Sequence, residues 1–192
     1  MNHLRAWAWR WIIASPFRHE RMLRILIAHE EYGGELLRRI MREAQDDELK
    51  EAARCRIEYD VRHHALFEVL RKRFSNDIHA IQFPLQDYEV FFEKGIMTLP
   101  QFYASNIATE EEDIKSFFAY ADALEGAGQD EWAARIREVI KEEMNYIDQC
   151  LRGLQNLVQK EQVGVLLRYN RRLVKKMRRA YIPRLILLLV RA

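Results

Sequence analysis

Residues 45–74 read QDDELKEAARCRIEYDVRHHALFEVLRKRF, and the spacing of apolar residues in this stretch decides the fold. Leu49, Ala53, Ile57, Phe67, Leu70 and Phe74 recur at steps that fit one face of a helix, and Asp60 and His63 occupy the two remaining positions of the same stripe. Asp46 and Asp47 supply a turn and an N-cap, with Glu48 in the first turn where the helix dipole favours an anion. The stretch therefore predicts a helix that turns an acid and an imidazole toward the core.

The neighbouring segments follow the same period. Residues 20–45 place Leu23, Leu26, Glu30, Gly33, Leu37, Ile40 and Ala44 on one stripe. Residues 105–125 do so with Ile107, Glu111, Ile114, Phe118, Ala121 and Leu124, and Gly126 and Gly128 end that helix. From Asp130 to about Lys160 the stripe is Trp132, Ile136, Val139, Glu143, Tyr146, Cys150, Leu154 and Leu157. Between the pairs, Ser75 to Ala104 breaks the pattern: Pro84, Gly95 and Pro100 punctuate an aromatic-rich run, which predicts a long connection with room for one short helix.

The two helix pairs echo each other. Gln45-Asp46-Asp47-Glu48-Leu49 corresponds to Gly128-Gln129-Asp130-Glu131-Trp132, and the same shift of 83 superposes Ile57 on Ile140, Asp60 on Glu143 and His63 on Tyr146. For the preceding helices a shift of 81 brings Leu26 onto Ile107, Glu30 onto Glu111 and Leu37 onto Phe118. A duplicated helical hairpin joined by one long connection predicts an all-α four-helix bundle with a crossover.

Composition agrees. The chain has 192 residues, 49% of them hydrophobic, with only seven Gly and four Pro, so it can bury a core and favours helix over strands and turns. Disorder and fibrous repeats are excluded. Cys55 and Cys150 show no Cys-x-x-Cys or zinc spacing. Met1 to Phe17 is partly apolar, but Arg5 and Arg10 interrupt it, so no signal peptide is expected and the cytoplasm is the default. No run reaches the roughly 18 apolar residues of a membrane-spanning helix. The net charge of +2 hides an asymmetry: residues 162–192 hold nine Lys or Arg and no acid, leaving 22 bases against 29 acids before them.

Four stripes meeting in a bundle would each present an acid, namely Glu30, Asp60, Glu111 and Glu143. A bare carboxylate in such a core costs several kcal/mol or takes up a proton, so four together call for a shared counter-charge, which a metal pair supplies. Asp60 and His63 stand three residues apart on one helix face and can offer oxygen and nitrogen to one ion, a mixed set that suits iron or manganese. One residue of phase error exchanges Glu30 with Glu31, Glu111 with Glu110 or Glu112, and His63 with His64. Any single Glu on a stripe is equally served by an ion pair with one of the 23 Arg.

On these residues the chain resembles the ferritin-like di-iron carboxylate superfamily, the rubrerythrin-type proteins and non-haem oxygenases, over about residues 20–157. That family takes one Glu from each of two helices and a Glu-x-x-His from each of the other two. Glu30 and Glu111 match the single acids, Asp60-Val61-Arg62-His63 the first acid-x-x-His, and Glu143-Met144-Asn145-Tyr146 the second. The resemblance implies two iron ions, or an iron and manganese pair, held by Glu30, Asp60, His63, Glu111 and Glu143 and activating O2 against an apolar substrate. It also implies an electron donor that the residues do not identify. Asp60 is one methylene shorter than the family's Glu. Tyr146 is the graver departure, because a phenol with a pKa of about 10 is a poor ligand for divalent iron. Beside iron it would instead be a redox-active or phenolate-ligating catalytic side chain, or mark a degenerate site. Members similar in size and ligand spacing include aldehyde-deformylating oxygenases, demethoxyubiquinone hydroxylases and tRNA hydroxylases.

The ends flank that bundle: residues 1–19 as a Trp- and Arg-rich helix, 20–160 as the bundle, and 161–192 as a basic amphipathic segment ending in an apolar run after Pro183. Trp beside Arg suits a membrane interface, and basic residues near an anionic leaflet contribute on the order of 1 kcal/mol each. An anionic membrane surface, with the protein peripheral to its inner face, and a lipid- or quinone-like substrate are therefore expected ahead of nucleic acid. Covering the bundle or forming a homodimer interface serves the same ends.

Overall fold

The computed structural model describes residues 2–74 and 97–190, and over them the chain is all-α, with no strand. Its helices are α1 (Asn2–Ile13), α2 (Pro16–Glu43), α3 (Asp47–Arg71), α4 (Leu99–Glu125), α5 (Asp130–Leu157) and α6 (Lys160–Val190). Most of the expected connection from Ser75 to Ala104 lies outside the described residues.

Three boundaries differ from the sequence reading, each at a proline. Pro16 opens α2, where the missing N–H would have had no partner anyway, so the helix begins before residue 20. Pro100 sits in the first turn of α4 for the same reason, and that helix begins at Leu99 rather than Ser105. Pro183 lies inside α6, which runs on to Val190 instead of stopping near Arg179. An interior proline costs roughly 3 kcal/mol. Here it is tolerated within a long helix whose residues beyond it are helix formers, with Leu189 buried.

The helices form two compact units, one of residues Met1–Pro16 and Pro100–Leu187, the other of Phe17–Leu99 with Leu188–Ala192. In the second unit α2 and α3 run antiparallel. The Asp46 carboxylate caps α3, accepting from the backbone N–H of Glu48 at 2.9 Å and of Leu49 at 3.2 Å. Asp46→Ala is expected to cost about 1 kcal/mol of stability in chemical denaturation. The ring of His19 lies against Phe74 with centroids 4.8 Å apart, His64 pairs with Glu31 at 3.2 Å, and Gly33 faces Asp60. These pairs share one register, and it brings Glu30 level with His63. Leu23, Leu37, Leu49, Ala53, Phe67 and Leu70 are buried along the two helices.

In the first unit α4 ends in a Schellman turn. Gly128 takes φ +71°, the Gln129 N–H donates to the Leu124 carbonyl at 2.9 Å, and the Gly128 N–H donates to that of Glu125 at 2.9 Å. The antiparallel α4–α5 pair is tied near this turn by Arg137 to Glu125 at 2.6 Å. At its far end Gly153 lets the Tyr103 ring approach; a Cβ there would lie 2.7 Å from a ring carbon. Helix α1 lies along α4: Trp9 stacks on Tyr120 at 4.2 Å and donates to the Ser116 hydroxyl at 3.1 Å, and Arg5 pairs with Glu112. Of the expected Trp-rich membrane face, Trp9 is therefore core, while Trp7 is exposed. Helix α6 also meets α4, through Arg171 to Glu111 and Arg178 to Asp113.

Candidate metal centre

On α3 the predicted stripe is buried as a block. Asp60 is 5% exposed and His63 2%, with Ala53, Phe67 and Leu70 sealed around them along the helix. Asp60 Oδ1 and His63 Nε2 are atoms closed off from solvent. One turn before Asp60, and also buried, is Arg56, whose Nε stands 2.8 Å from Asp60 Oδ1. The other carboxylate oxygen faces Gly33 of α2, where a Cβ would come within 3.2 Å. His64, the rival of His63, is half-buried and engages Glu31, which is exposed, while Glu30 is half-buried.

On α5, Glu143 is 1% exposed, and Tyr146 and Cys150 are buried beside it on the same stripe. On α4 the acid in phase with the core is Glu110, not Glu111. Glu111 is half-buried and directed at α6, where the Arg171 guanidinium grips it with Nε at 2.7 Å; this contact raises the Arg171 pKa. Phe117 and Phe118 show the same one-residue correction, the first buried and the second 47% exposed. Glu112 is buried too but is spoken for: although desolvation pushes its pKa up, hydrogen bonds from Lys115 and Arg5 outweigh this and lower it. The register set by Tyr103 on Gly153 brings Glu110 level with Tyr146, as Glu30 is level with His63.

The duplication is visible in burial. A shift of 80, rather than 81, matches the buried Ile27, Gly34, Leu37 and Ile40 of α2, and Ala44 just beyond it, with Ile107, Ile114, Phe117, Tyr120 and Leu124 of α4, and puts Glu30 on Glu110. The shift of 83 matches Ala53, Asp60, His63 and Phe67 of α3 with Ile136, Glu143, Tyr146 and Cys150 of α5, all buried. Each hairpin therefore carries one acid on its first helix and an acid-x-x-(His or Tyr) on its second, at equivalent heights. The shared pattern breaks at Arg56, whose counterpart is the buried Val139. Sequence reading passed over Arg56 in favour of Ile57. The signal that would have found it is a basic residue one turn ahead of a stripe acid.

Among the described residues no three His, Cys, Asp or Glu side chains form a group that could hold a metal ion. By residue type the buried acids and His63 are ligands a metal could use, but the structure does not gather three of them at one point, and Arg56 stands against Asp60. No protein-family model, curated protein or solved structure matches the chain.

Proposed function

We propose that the chain is a metal-dependent oxidoreductase of the ferritin-like di-iron type, with a four-helix bundle built from the two hairpins. The observation that supports it is the repeated placement of a buried acid-x-x-(His or Tyr) opposite an acid at equal height in both hairpins. Glu30, Asp60, His63, Glu110 and Glu143 would hold iron, or iron with manganese, and the bound metal would supply O2 activation. The apolar side chains lining the same stripes, Phe67, Ile107 and Ile136 among them, would exclude water from the reacting atoms and accept an apolar substrate. Tyr146, in the place of a second histidine, would offer a phenol rather than an imidazole, as a hydrogen donor to the site.

The reading is tested by thermal unfolding with and without Mn(II). A metal that binds only the folded chain stabilises it by about 2.7 kcal/mol at a hundred times its Kd. The melting temperature of wild type is expected to rise with Mn(II) and that of Glu143→Gln to stay unchanged. Equal rises in both, or none in wild type, would oppose the reading.

The outer face of α6 supports an anionic membrane surface as the place where an apolar substrate is met. No helix among the described residues is long and apolar enough to cross a membrane. Val165, Tyr169, Ile182, Ile186 and Val190 are nevertheless exposed, with Arg172, Lys175, Lys176, Arg179 and Arg184 exposed between them. Cosedimentation with anionic but not zwitterionic vesicles is expected, weakening as salt screens the basic residues. Equal retention on both vesicle types would remove the electrostatic part of this reading.

A further inference from the structure

We propose that α6 enters an anionic bilayer at an incline, with Arg172, Lys176 and Arg179 at the level of the lipid phosphates and Ile186 and Val190 among the acyl chains. This rests on the membrane reading above and turns surface attachment into insertion of one defined segment. The outer face of α6 is a single stripe stepping by four and three residues, and every residue on it from Val165 to Val190 is exposed. It carries Val165 and Tyr169 first, then Arg172, Lys176 and Arg179, and last Pro183, Ile186 and Val190. The opposite face, with Val163, Leu167, Asn170 and Val174, is buried. Polarity on the outer face therefore changes along the helix axis rather than around it.

That banding decides the orientation. A helix lying flat in a membrane interface turns an apolar face to the acyl chains and keeps its charges on the polar face. Laid flat on its outer face, α6 would carry Arg172, Lys176 and Arg179 below the phosphates together with Val165 and Ile186, and charge at that depth is costly. An inclined helix separates the bands by depth. The rise from Lys176 to Ile186 is about 15 Å at about 1.5 Å per residue, comparable with half of a hydrocarbon core of about 30 Å. Basic residues held at the phosphates therefore leave the last turns of α6 among the acyl chains, where Leu187 adds exposed apolar surface beside Ile186. No acid occurs from residue 162 to 192 to repel an anionic headgroup. Pro183 stands at the boundary between the bands. It has no N–H, so the Arg179 carbonyl lacks its helical partner, an oxygen that water satisfies at headgroup level but hydrocarbon does not.

The full-length chain with a nitrobenzoxadiazole fluorophore on one introduced cysteine, Val165→Cys or Ile186→Cys, tests this on vesicles of phosphatidylcholine with and without phosphatidylserine. The background is Cys55→Ser, and Cys150, which is buried, stays in place. With phosphatidylserine present, emission is expected to rise and shift to the blue at position 186 and to stay unchanged at 165. In the unlabelled chain, Ile186→Ser should lower vesicle partitioning about 10-fold through lost apolar burial. Lys176→Ala should lower it roughly 5-fold through lost attraction to the leaflet, and Val165→Ser should leave it unchanged. Equal responses of the fluorophore at 165 and 186 would overturn the incline and leave membrane attachment standing. So would cosedimentation with no response at 186, the result of adsorption by charge alone. Failure of the unlabelled chain to cosediment with either vesicle would overturn the membrane reading and this inference together, and retardation of RNA in a gel by that same chain would assign the basic band to nucleic acid.

Discussion

Asp60→Ala, measured by urea denaturation in the presence of a chelator, is expected to lose about 3–5 kcal/mol of stability, the usual consequence of removing one partner of a buried ion pair. The residue left behind is Arg56, whose side chain is 9% exposed and which keeps its charge. The converse variant, Arg56→Leu, is expected to lose less, because a buried carboxylic acid can take up a proton and an arginine cannot give one up. Replacing both by leucine removes the charges together, and such exchanges are often neutral or stabilising. The double variant should therefore be more stable than Asp60→Ala, a coupling that a double-mutant cycle isolates. An exposed pair gives the contrast: Arg54 bridges Glu51 and Glu58 at the surface, and Arg54→Ala is expected to change stability by at most about 1 kcal/mol. Equal small losses for Asp60→Ala and Arg54→Ala would show that the α3 pair is solvated.

Acid is expected to unfold the chain early, and His19 is the reason. Its pKa is lowered to about 4 by burial and, secondarily, by the charge of Arg73. The folded chain leaves His19 neutral down to that pH, whereas an unfolded histidine binds a proton near its ordinary value of about 6.5. Between the two values the unfolded state carries more protons, so stability rises with pH there and is lost as the pH falls from about 6.5 to about 4. The difference amounts to on the order of 3 kcal/mol at about 1.4 kcal/mol per pH unit. His19→Gln should flatten this part of the profile relative to wild type. Parallel pH profiles for the two proteins would mean that His19 is protonated within the fold.

The helices and the order of their faces were legible because each stripe repeats with the helical period over several turns, and because Asp46 and Gly128 mark ends with side-chain and backbone chemistry that is local. Asp60, His63 and Glu143 were legible for the same reason, their stripes being anchored on both sides by Ala53, Phe67, Ile136 and Leu154. Glu110 was not. On α4 the sets 107–111–114–118 and 107–110–114–117 are both acceptable helical stripes, and adjacent Phe117 and Phe118 satisfy either. What decides between them is nonlocal, the capture of Glu111 and Asp113 by Arg171 and Arg178 some 60 residues later. The continuation of α6 through Pro183 was hidden in the same way, since a proline's local preference opposes it. Arg56 was missed because the adjacent Ile57 satisfies the apolar stripe, and burial alone shows which of the two faces inward.

The most direct test of the central claim, that the equivalent buried acids form a metal centre, is the iron content per chain by elemental analysis after anaerobic loading with ferrous iron and desalting. Iron in wild type, lost in Glu143→Gln, is expected. Wild-type chain that emerges without iron, or Glu143→Gln that retains as much as wild type, would contradict it.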